Sequence, residues 1–270
     1  MEIPLFPLHT VLCPGIVLPL HIFEDRYRAL TRHCLDTGAP FGVVLIREGR
    51  EVGGGRELAL ASVGALVEIR EAGRYPDGRF DLLAAATGRF AIDAVDPVRE
   101  PYLVADVTPL EDEVGDEARA ERLAASAIRK FVRYLDLMRA REGETNEELD
   151  IRVEFDSTAA DAEDAEDDDS ADDADDADSA DDADPNAEAL DAAGPGPSLL
   201  IPDDPTVLSY LLSGIIQIEL PRRQALLEAS TTVDRLEALV ALLDRELLLL
   251  AGRLRLFAPD PRVAGGPRRS

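Results

Sequence analysis

Three histidines, two cysteines and one lysine are the only side chains of their kinds in this 270-residue chain. His9, His21 and His33 all fall in its opening stretch, where a metal or acid–base role can be tested against spacing. They do not form HExxH, and no CxxC or repeated His-carboxylate set accompanies them, so local sequence assembles no metal centre. His33 precedes Cys34, yet adjacent helical residues point in different directions and do not make a thiolate–imidazolium pair. Cys13 and Cys34 are too few for a disulfide framework or a four-thiolate metal site, and read as small buried residues of a reduced protein. Lys130 stands mid-helix in AIRKFVRY. Without GxxxxGK[ST] there is no phosphate cradle for a Walker-type ATPase, and a Ser-Lys hydrolase has no second lysine to use as base. No cofactor site is expected.

Charge narrows the classes further. The formal net charge is -27, but 18 of the 55 acidic residues lie between Asp156 and Asp191, where there is no Lys or Arg, leaving about -9 elsewhere. Net acidity weighs against nucleic acid, which is bound by basic groups that displace counterions. The tract DDDSADDADDAD lacks the glycine and the bidentate glutamate of a calcium loop. It reads as a solvated spacer, or as a mimic of a nucleic-acid backbone facing a basic partner.

These side chains must be positioned by elements of two kinds. Residues 1–111 read as β-rich: FGVVLIREG suits a buried strand, and ALVEIRE and RFDLLAAATGRFAIDAV carry β-formers, with turns at GGGRE and YPDGR. One helix interrupts them, EDRYRALTRHCLDTG, with Tyr27, Leu30 and Cys34 on one face and a stop at Gly38. Short strands plus one helix predict a small closed or nearly closed barrel. Residues 112–155 and 198–257 read as helical. Ala124, Ile128, Phe131, Leu135 and Met138 share one face, and helices are predicted to start at Asp204-Pro205, after Leu220-Pro221, and at Val233. In the last, Leu236, Val240, Leu243, Leu247, Leu250, Leu254 and Phe257 keep a heptad pattern that packs within its own bundle or joins copies of the chain. Residues 156–197 are expected to be a disordered acidic insertion and 258–270 a loose tail. The proline-rich opening lacks the charged start of a signal peptide, and LEALVALLDRELLLLAG is broken by Asp244, Arg245 and Glu246, so a cytoplasmic protein without membrane helices is expected.

Together the opening residues carry a family pattern. Pro4-Leu5-Phe6-Pro7-Leu8, Pro14-Gly15, Pro19-Leu20, Phe23-Glu24 and Arg26-Tyr27 resemble the N-terminal substrate-binding domain of Lon ATP-dependent proteases. Phe41-Gly42-Val43, Val63-Gly64 and Gly88-Arg89-Phe90 continue the likeness. Asp204-Pro205, Gln224, Leu226-Leu227-Glu228 and Asp234-Arg235-Leu236 carry it into the helical half. The resemblance implies an α+β fold, a PUA-like barrel followed by a helical bundle, and the recognition part of a protease without its ATPase and peptidase modules. It implies a non-enzymatic binder of protein or peptide clients, an adaptor or regulator of proteolysis with a Lon-type protease as candidate partner. The other class implied by a PUA-like fold is an RNA- or small-ligand-binding protein. Candidate partner-binding residues are Arg26, Arg89, Phe90, Tyr102 and Tyr210. Arg26 and Arg89 are read first as carboxylate-paired ties between helix and sheet, and second as grips on a substrate carboxylate.

Overall fold

In a computed structural model, the described residues are 1–48, 59–142, 153–155 and 199–257. The chain divides into two compact units, one of Met1–Glu142 with the segment from Asp204 onward, the other within Gly143–Asp203. The acidic insertion of 156–197 and the tail of 258–270 lie outside the described residues, as do Gly49 and the GGGRE turn.

The first unit begins with β1 (Glu2–Leu8), β2 (Val17–Ile22), α1 (Asp25–Thr37) and β3 (Phe41–Glu48). It continues through β4 (Ala59–Leu60), β5 (Val63–Arg74), β6 (Phe80–Asp96) and β7 (Leu103–Leu110). The ladder runs β1-β7-β6-β5-β3, and a parallel β1–β3 pairing joins its ends into a closed barrel. β1 acts as the splice. Glu2 to Leu5 pair with β7, whereas Leu5 to Leu8 pair with β3. Each half of the strand therefore ladders to one neighbour, which is why a sequence with Pro4 and Pro7 can still form it. β6 is shared in the same way, with β5 along one side and first β2, then β7, along the other.

The turn chemistry follows the sequence. Pro14-Gly15 closes a turn with Ile16 N–H donating to the Cys13 carbonyl at 3.1 Å, and Gly15 takes φ +82°. Helix α1 stops at Gly38, whose φ of +69° lets its N–H reach the Cys34 carbonyl. Glu24 occupies the N-cap position without a side-chain cap, because its carboxylate instead accepts from Arg26 Nε and Nη2 at 3.0 and 2.8 Å.

Two apolar clusters pack the barrel among the described residues. One joins Tyr27, Leu30 and Cys34 of α1 to Phe6, Phe41, Val67, Phe80, Leu82 and Ala84. The other joins Ile3, Leu5, Val44, Phe90 and Val107 to Tyr210 and Leu227. Phe90 is central to the second: a Cβ on Gly42 or Gly64 would lie 2.5 or 2.6 Å from its ring, so glycines on β3 and β5 make room for it. Burial raises both thiols, Cys13 and Cys34, to about 11.

After the barrel come α2 (Glu117–Glu142), α3 (Pro205–Ile215), α4 (Leu220–Glu228) and α5 (Thr232–Phe257). Asp204 caps α3 by accepting from Thr206 and Val207 N–H, with proline at the first helical position. Leu236, Leu239 and Leu243 of α5 are fully buried, each contributing on the order of 1.5–3 kcal/mol of apolar transfer. Ion pairs Lys130–Asp244 and Arg119–Glu237 join α5 to α2 at the surface. The second unit holds a parallel pair, β8 (Val153–Phe155) and β9 (Leu199–Ile201), which the sequence does not announce.

Candidate functional site

The sequence-selected arginine of β6 belongs to a buried polar node. The loop after β7 brings Asp112 against the start of α5, where Thr232 and Val233 N–H donate to the Glu113 and Val114 carbonyls at 2.8 and 3.2 Å. Arg89, only 4% exposed, donates from Nε to Asp112 Oδ1 at 3.0 Å. Its Nη1 reaches the carbonyls of Leu227 and Ala229 at 3.0 and 2.6 Å, satisfying the orphan end of α4. Tyr210 donates its hydroxyl to the same Asp112 oxygen at 2.5 Å. Arg235, with no exposed surface, donates to Tyr210 Oη at 2.7 Å, to Ser209 Oγ at 3.0 Å and to the Leu226 carbonyl at 3.2 Å. Its guanidinium also lies 3.7 Å from the Tyr210 ring centroid. Burial depresses the Arg235 pKa and raises that of Tyr210, while the facing guanidinium and phenol oppose each shift.

Arg89 and Tyr210 therefore meet, at a residue that sequence reasoning passed over. Phe90 stands beside them in the apolar core, and Tyr102 lies in the other cluster, its ring 6.3 Å from that of His33. Arg26 is far from the node, half-buried at the start of α1, with its guanidinium 4.5 Å over the Tyr27 ring. Four of the five selected residues, Arg89, Phe90, Tyr102 and Tyr210, are less than a tenth exposed, and their visible work is to hold barrel and helices together.

The accessible chemistry lies elsewhere, on the sheet formed by β2, β6 and β5. Directly opposed pairs share a face of an antiparallel sheet. Val17 faces Ala85, Pro19 faces Leu83 and His21 faces Asp81, and this face is turned outward. Val17 is 49% exposed, Leu83 37%, Tyr75 40% and Phe23 63%, an apolar stripe on one side of a folded unit. β2 pairs with β6 alone among the described residues. Because Ala86 N–H donates to the Ile16 carbonyl at 3.0 Å, alternation directs the backbone groups of Val17, Pro19 and His21 away from β6. Pro19, which has no N–H, occupies one of these outward positions, as befits an edge strand.

At one end of the stripe the hairpin between β5 and β6 folds over at Tyr75 to Arg79. Asp81 Oδ2 accepts from the Tyr75 hydroxyl at 2.5 Å, and Asp81 Oδ1 lies 2.6 Å from His21 Nδ1. Arg79 donates from Nε to Asp77 at 2.8 Å and from Nη1 to His21 Nε2 at 3.4 Å, so His21 fits the tautomer protonated at Nδ1. The Tyr75 hydroxyl, then His21, hold the Asp81 carboxyl below its usual range, and the same bond raises the Tyr75 phenol. Rings of His21 and Phe23 stack at 6.3 Å, and His21 meets Tyr75 edge-on at 6.1 Å. The signal for this face was present in VLPLHIF, an alternating run that ends on two aromatic-type rings. What it lacked was any cue to which side of the alternation meets water.

Among the described residues there is no cluster of His, Cys, Asp and Glu able to hold a metal, and no helix long and apolar enough to cross a membrane.

Comparison with known proteins agrees with the architecture. A profile of the ATP-dependent protease La (LON) substrate-binding domain matches residues 2–245. The Lon protease of Flavobacterium johnsoniae is 28% identical over 122 residues, which is 45% of this chain and only 15% of that relative's length. The crystal structure of a Lon N-terminal domain protein from Xanthomonas campestris superposes with a TM-score of 0.52 at 23% identity, covering 89% of this chain and 98% of that one. The N terminal domain of the Mycobacterium avium complex Lon protease gives 0.54 at 17% identity, covering 90% and 98%. At those identities the two structures speak for a common fold. Since the profile extends through barrel and helices alike, the chain belongs to the Lon substrate-binding domain family.

Proposed function

We propose that the chain is a non-enzymatic recognition module that takes up exposed, extended segments of client proteins and presents them for proteolysis. The observation that carries this is the outward apolar stripe of Val17, Pro19, Leu83 and Phe23 beside the unpaired edge of β2. An extended segment adding to that edge gains main-chain hydrogen bonds from β2 and apolar contact from alternate side chains. Family membership supports the same role, and a Lon-type protease is the partner it suggests for the adaptor step.

The test is binding of an unfolded, fluorescently labelled model protein, read by anisotropy, beside its folded form. Preference for the unfolded form is expected. Leu83→Glu is expected to weaken binding by about tenfold, because it places a charge in the apolar stripe. Equal affinity for folded and unfolded forms, or indifference to Leu83→Glu, would overturn the reading. The adaptor step is tested separately, by whether the chain alters the rate at which a Lon-type protease degrades the same model protein.

A further inference from the structure

Resting on the recognition role argued above, we propose that the β2–β6–β5 face selects segments in which two apolar residues at alternate positions are followed, two positions on, by arginine or lysine. A strand added parallel to β2, the orientation the proposal takes, repeats its side-chain positions every second residue, about 6.6–6.8 Å apart. Its first two positions on this face meet the Val17/Ala85 and Pro19/Leu83 levels. The third meets His21/Asp81, where the chemistry changes. There a carboxylate is held by Tyr75 Oη and His21 Nδ1, and the His21 ring stacks on Phe23 and meets Tyr75 edge-on. A carboxylate with aromatic rings beside it suits a cation that is partly apolar, and above all a guanidinium, which can pair with the one and stack on the others.

The chain's own Arg79 shows how such a cation sits. Its guanidinium lies 5.3 Å from the Tyr75 centroid and donates to His21, and its ion pair with Asp77 is exposed at both ends, at 44% and 54%. An exposed pair of this kind is weak and readily exchanged. Arg79 is thus an internal stand-in that an incoming arginine displaces. The remaining charges on the sheet do not oppose this: Arg70 pairs with Glu68 at 3.3 Å, Arg74 lies over the Phe80 ring at 6.0 Å, and Glu71 is level with Leu83. The chain's acidity further favours the approach of a basic segment.

The experiment measures anisotropy of labelled nine-residue peptides carrying the apolar-x-apolar-x-Arg pattern, with Gln or Glu replacing Arg in the controls. Intact chain is expected to bind the Arg peptide about fivefold tighter than the Gln peptide at low salt, the ratio falling as salt screens the charges. Asp81→Asn is expected to abolish the ratio, while Glu121→Gln, an equal charge change on α2, preserves it. Arg79→Ala is expected to tighten the Arg peptide by about two- to fivefold, because the internal competitor is gone. Equal binding of all three peptides, or weaker binding by Arg79→Ala, would overturn the selectivity while leaving segment recognition standing. Binding of none of them would overturn both.

Discussion

Asp112 is the residue on which the most depends. One carboxylate oxygen receives Arg89 and Tyr210, and Arg235 approaches it at 3.5 Å. Asp112→Asn removes the charge that compensates two buried guanidiniums, and breaking a buried pair from one side costs about 3–5 kcal/mol. A urea titration that shows less than about 1 kcal/mol lost would refute the central role given to this contact. The buried thiols make a second prediction at this scale. Folded pKa values of about 11 exceed that of an ordinary thiol near 9. Between those values the unfolded chain releases protons that the folded chain keeps, so stability is complete below pH 9 and declines as pH rises towards 11. Replacing both Cys13 and Cys34 by alanine should flatten that decline in denaturant midpoints measured across this range. Unchanged slopes would show that the thiols do not govern it.

At the scale of elements, the junction of β3, β5 and β6 is packed without slack. Phe90 rests on Gly42 and Gly64, and Gly42→Ala would drive a methyl to 2.5 Å from its ring. Such overpacking costs about 1–3 kcal/mol, and pairing it with Phe90→Leu should recover part of the loss in thermal melts. No recovery would mean that the clash is relieved elsewhere. This scale also separates what sequence reveals from what it hides. Helix α1, with Tyr27, Leu30 and Cys34 on one face and Gly38 as stop, follows from 3.6-residue periodicity and one glycine, both local properties. The Pro14-Gly15 turn and the proline starts of α3 and α4 are local in the same sense. Barrel closure is not, because the β1–β3 register depends on which distant strand is free to pair. The polar node is equally hidden: Arg235 and Asp112 stand 123 positions apart, and the one cue was a charge beside the buried stripe of α5. Arg89 and Tyr210 show the same gap, since nothing local to either residue announces that both bond to Asp112.

For the whole molecule, charge and folding are separable. The acidic tract supplies -18 of the -27 and almost no apolar side chains, so little folding energy can reside in it. Replacing residues 158–196 by a short Gly-Ser linker should leave the melting temperature within about 3 °C, since closure entropy varies only slowly with the length of chain between two ends, by about 1 kcal/mol here. A fall of ten degrees or more would show that the tract supports the fold. The splice made by β1 has a different consequence, in time. Its partner β7 is separated from it by almost the whole barrel sequence, and ribosomes add about 5–20 residues per second. For roughly 5–20 s after β1 is synthesised, its Glu2–Leu5 half lacks its ladder partner, since β3 takes up only Leu5–Leu8. Until β7 is made, the barrel stays open along that half-strand, the kind of unpaired apolar edge that invites pairing with other chains.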